Sequence, residues 1–110
     1  MTWALRLACG VRSEIVESED WDREVARFYR ELRALDDYLA SEPLAAGTTE
    51  ERLVQGPVSD AMTHAGQLAM LRRLAGASIA GENFFRADIR TGRVGPEQTP
   101  PAAPISEAKG

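Results

Sequence analysis

The chain has 110 residues, 44% of them apolar and 27% charged, the proportions of one small globular domain and not of a disordered chain. Lys and Arg number 13 against 17 Asp and Glu, a formal net charge of −4, and the cations are scattered among the acids, which argues against binding nucleic acid by neutralising its backbone. Cys9 is the single cysteine, so no intramolecular disulfide forms and a reducing cytosol is the expected compartment.

The first segment, Thr2 to Val16, carries Trp3, Leu5, Leu7, Val11 and Ile15 with Gly10 in its middle, a pattern that fits a helix or a broken helix. Arg6 interrupts its apolar run, whereas a secretory signal needs an unbroken stretch of roughly 7–15 apolar residues. Nothing in the chain approaches the roughly 18 apolar residues of a membrane span. No membrane partner is therefore expected, and a cytoplasmic location is. Cys9 here reads most simply as a small buried apolar residue.

From Trp21, the residues Val25, Phe28, Leu32, Leu35 and Leu39 follow at alternating steps of four and three, which predicts an amphipathic helix. Ser18 is placed to cap it, Glu19 and Asp20 fall in its first turn, and Arg23, Arg27, Glu31 and Asp36 lie on its outer face. Thr48 with Glu51 three residues on forms a capping box and predicts a short helical turn. Pro57 suits a first helical position and Gly76 a left-handed closing position, so a helix is predicted from Pro57 to Ala75. Ala61, Met62, Ala65, Leu68, Ala69, Met70, Leu71 and Leu74 make it apolar almost all round, the composition of a central helix. Phe84, Phe85 and Ile89 are expected to pack back on the bundle as a short helix or ordered loop. The sequence thus predicts an all-α fold, a partial up-and-down helical bundle over residues 1–95, with a Pro-rich disordered tail over 96–110.

The central helix also holds the only histidine of the chain. Asp60, His64 and Gln67 follow at steps of four and three and so share one face. A carboxylate and an imidazole one turn apart can converge on one divalent ion. Two plainer readings stand beside this one. Asp60 four residues into a helix is stabilised by the helix dipole and needs no further purpose, and His64 can be an ordinary hydrogen-bond partner of Gln67. Gly66 costs up to roughly 1 kcal/mol relative to Ala inside a helix, which points to close approach of a neighbouring helix.

The run Asp60-Ala61-Met62-Thr63-His64-Ala65-Gly66-Gln67-Leu68-Ala69-Met70-Leu71-Arg72-Arg73-Leu74-Ala75-Gly76 resembles the last bundle helix of DinB-like proteins, the DinB/YfiT-like metalloenzyme family. In that family a histidine preceding x-Gly-Gln is typically a metal ligand, and His64-Ala65-Gly66-Gln67 has that form. The resemblance implies a helical bundle holding a divalent metal (zinc, nickel or iron) by three side chains, usually histidines, and a small thiol as substrate. It implies His64 and Asp60 as metal ligands, with Gln67 orienting them from behind. Asp60 stands where the family commonly has a second histidine, and the histidine contributed by an earlier helix has no counterpart. The resemblance is best over 56–76, weaker over the Trp21 helix and the segment after Gly81, and absent from the family's N-terminal half.

Two functions of different class follow. One is a metal-dependent protein related to thiol transferases, with an incomplete site that Cys9 would extend only if the first segment folded beside His64. The other is a non-catalytic helical module that homodimerises to complete its core. A combination of the two brings two copies of Asp60 and His64 to one axis.

Overall fold

The computed structural model describes residues 1–12 and 20–102. The fold is all-α, with no strand among the described residues. Helix α1 spans Thr2–Cys9 and α2 spans Trp21–Ser41. Helix α3, Glu50–Leu53, passes through a π turn, Val54–Val58, into α4, Ser59–Leu74. A single 3-10 turn, Phe84–Arg86, follows.

Helix α1 is the hub. Ala4 and Ala8, one turn apart, are its two fully buried residues, and with Leu35 and Leu53 they form the core. Alanine at both positions lets α2 and α3 close in from two sides. The end of α1 is fixed by chemistry that the sequence shows plainly. Gly10 adopts φ 74° and ψ 20°, with Val11 N donating to Arg6 O (2.8 Å) and its own N to Leu7 O (3.2 Å), the paired bonds of a Schellman ending. The loop after α2 then covers the remaining carbonyls: Ala45 N donates to Ala8 O at 2.9 Å and Thr48 Oγ1 to Leu7 O at 3.2 Å.

Several expectations are corrected in detail. The expected cap Ser18 lies outside the described residues, and Asp20 caps α2, its carboxylate accepting from Asp22 N at 2.9 Å and Arg23 N at 3.4 Å. The helix from the capping box starts on Thr49, not Thr48, because Thr48 is occupied with α1 while Thr49 Oγ1 accepts from Arg52 N at 3.2 Å. Pro57 does not open a helix. It sits inside one, in the π turn, where a proline without N–H is accommodated and Ser59 N instead reaches back to Val54 O. The helix therefore begins at Glu50 and runs with that one irregular turn to Leu74.

The largest correction concerns α4. An all-round apolar helix was expected at the centre, yet no residue of α4 is buried. Met62, Leu68, Met70, Leu71 and Leu74 are all exposed. Helix α1 bridges to α2, α3 and the π turn, and α2 and α4 do not meet. Likewise Phe84, Phe85 and Ile89 do not pack back, Phe85 being 98% exposed. The Schellman end at Gly76, φ 77°, is as its position suggested. Beyond it, residues 95–102 carry no helix or strand, and residues 103–110 of the Pro-rich tail lie outside the described residues.

Candidate metal centre at the lip of an apolar groove

The three polar residues singled out from spacing do come together on α4. His64 Nδ1 stands 2.8 Å from Gln67 Oε1 and Nε2 3.5 Å from Asp60 Oδ1. Because an amide oxygen only accepts, Nδ1 carries the hydrogen and donates it. That hydrogen bond orients the ring and turns Nε2 toward Asp60, the arrangement by which a hydrogen-bonded neighbour fixes a ligating imidazole. Both side chains are more than half exposed, 63% for His64 and 52% for Asp60.

The dipole explanation for Asp60 weakens once the helix is known to begin at Glu50. Dipole stabilisation falls off within the first turn, and Asp60 lies well beyond it. The π turn also matters for the site, since one extra residue in a turn rotates everything after it by about 100°. The face carrying Asp60 and His64 is thereby directed into a groove. Pro57, Ala61, Ala65 and Leu68 line the same wall.

Opposite stand Trp21, Val25, Phe28 and Tyr29 of α2, with Met1, Trp3 and Ala4 of α1 between the two walls. The groove measures about 430 Å³, within the roughly 300–1,000 Å³ of small-molecule sites. Phe28 and Tyr29 meet edge to face, ring centroids 5.3 Å apart. Glu24 also faces the groove and is ion-paired with Arg27 one turn along α2. The Trp21, Val25 and Phe28 stripe was legible as apolar periodicity, but periodicity does not distinguish a groove wall from a core face.

As a metal centre the donors are half a set. Among the described residues no group of three His, Cys, Asp or Glu side chains converges. Cys9 cannot extend the pair, for it ends α1 while only the opening turn of that helix borders the groove. Gly66 has open space around the position of a Cβ, so no neighbouring helix accounts for it within the chain. No helix of the described residues is long and apolar enough to cross a membrane. No family model, curated protein or solved structure matches the chain.

Proposed function

We propose that the chain is a DinB-like, divalent-metal-binding helical protein in which Asp60 and His64 hold zinc, nickel or iron at the lip of an apolar groove that receives a small thiol. The observation that carries this reading is the 3.5 Å between His64 Nε2 and Asp60 Oδ1. Two donors each roughly 2.1 Å from one tetrahedral ion lie about 3.4 Å apart. The same separation is long for a hydrogen bond, so the pair is spaced better for sharing an ion than for bonding each other. A bound divalent metal supplies a lowered pKa for a coordinated thiol or water. The chain's own part is positional: Gln67 holds the ring, and Trp21, Phe28 and Leu68 offer apolar surface to the carbon skeleton of the ligand.

Zinc titration followed calorimetrically, with His64→Ala and Asp60→Asn as comparisons, tests this directly. The wild type should bind and each variant should lose at least about 1.4 kcal/mol, a factor of ten. Equal zinc binding by wild type and both variants would remove the basis for the site.

A second reading, a helical module without chemistry that homodimerises, is favoured by α4 having no buried residue. In that case Asp60, His64 and Gln67 are a surface hydrogen-bonded row of little energetic consequence, and the Asp60→Asn variant leaves metal content and stability alike unchanged.

A further inference from the structure

The groove between α2 and α4 gathers most of the chain's aromatic surface. The chain has two Trp, two Tyr and three Phe, and both Trp, with Phe28 and Tyr29, line this one groove. Trp21 and Phe28 remain 69% and 45% exposed, so these rings are not taken up by the core. Apolar ring faces left accessible beside a few polar groups are the make-up of a small-molecule site.

The ionic character of the groove is one-sided. Glu24 on α2 and Asp60 on α4 bring carboxylates to its two walls, and none of the chain's 13 Lys and Arg is among the described residues that line it. Arg27, ion-paired with Glu24, borders the adjoining small cleft instead. His64 offers no free N–H, because its Nδ1 hydrogen is given to Gln67. Among the lining side chains, what remains to meet an anion is indole and phenol, neutral groups in a chain of formal net charge −4. A carboxylate laid against these walls gives up water without gaining a cation.

We propose that the thiol received here is an apolar one, aryl or branched alkyl, that bears no carboxylate, sulfonate or phosphate. Its sulfur and the metal rest on the reading above, whereas the character of the rest of the molecule rests on the walls. With the sulfur at Asp60 and His64, the skeleton runs along α4 toward Leu68, one turn on. It then lies between that side chain and the rings of α2. An acid group on that skeleton meets the same walls and finds no partner.

Titration of the full, metal-free chain with phenylmethanethiol and with its para-carboxylate, followed by the emission of Trp3 and Trp21, tests the walls alone. The uncharged thiol should bind roughly tenfold more tightly or better. Leu68→Arg sets a cation on the wall and should narrow or reverse that ratio, its helicity being checked by circular dichroism. Leu68 is 49% exposed, so the substitution lies outside the core, and should the variant still not fold, the wild-type ratio decides. Equal binding of the two thiols, tighter binding of the carboxylate or no response to either overturns the proposal. A folded Leu68→Arg with an unchanged ratio overturns it as well. Zinc tests the underlying reading separately: it should tighten phenylmethanethiol and leave ethylbenzene, the same shape without a sulfur donor, unchanged. Zinc without effect on either removes the metal reading and leaves the preference of the walls standing.

Discussion

At the scale of single residues, the glycines divide into those the backbone requires and those it does not. Gly10 is required twice over: its φ of 74° is left-handed, and a Cβ there would stand 2.8 Å from Ala45 Cβ. Gly10→Ala should cost at least the roughly 1–2 kcal/mol of a left-handed non-glycine residue, read as a lower denaturant midpoint, and a neutral result would contradict the placement of the loop after α2 against α1. Gly66 is the opposite case. It is helical with open space around it, and it lies away from the groove wall. Gly66→Ala should therefore stabilise by up to about 1 kcal/mol, and a loss of stability would mean that another helix packs on that face instead of on the groove. Asp88 offers a prediction in pH. Hydrogen bonds from Arg90 and then Arg93 hold its carboxyl below the usual aspartate value. A depressed folded-state value contributes stability above the ordinary aspartate pKa, and that contribution disappears as pH falls through the depressed one. The turn over residues 88–93, which Arg33 ties to α2 through Gly92 O at 3.4 Å, should thus stay ordered at pH 5 and loosen well into the acid range. Titration of the Asp88 carboxyl carbon by NMR checks this, an ordinary midpoint being the contrary result.

At the scale of elements, what was legible from the sequence was whatever local chemistry decides. The α2 periodicity, the Schellman glycine at Gly76 and the step from Asp60 to His64 to Gln67 all depend on residues within a turn or two of each other, and each is found as read. Burial was not legible, because it depends on what lies across the gap. Trp21 and Phe28 on one side and Leu68 on the other have the composition of a core, and within one chain they face a groove. Conversely, the segment least secure from its pattern, α1, is the hub, since two alanines buried at a crossing leave no strong periodic signal. Pro57 misled for a definite reason: a proline at the start of a helix and a proline in a π turn are both spared an N–H, and composition does not separate them. That turn gives an element-scale prediction. Pro57→Ala restores an N–H and allows an unbroken α-helix, which rotates α4 by about 100° relative to α3. Zinc affinity should fall while helicity is kept or raised, as seen by circular dichroism beside the zinc titration. Unchanged zinc binding would separate the π turn from the aim of the site.

At the scale of the whole molecule, the chain is extended around a small core. Its radius of gyration is 16.0 Å, against about 13 Å for a compact domain of this length, and its buried core is two alanines and two leucines. Both tryptophans of the chain, Trp3 and Trp21, line the groove, so indole fluorescence excited selectively reports on that surface. If a second copy covers it, emission at tens of micromolar should be blue-shifted and protected from acrylamide, and dilution should move it toward the spectrum of exposed indole. The midpoint of that shift should then track dissociation of the dimer followed by sedimentation. Indole that is fully accessible to quencher at every concentration would mean that the groove stays open, and the apolar face of α4 would then need an occupant other than a second copy of the chain.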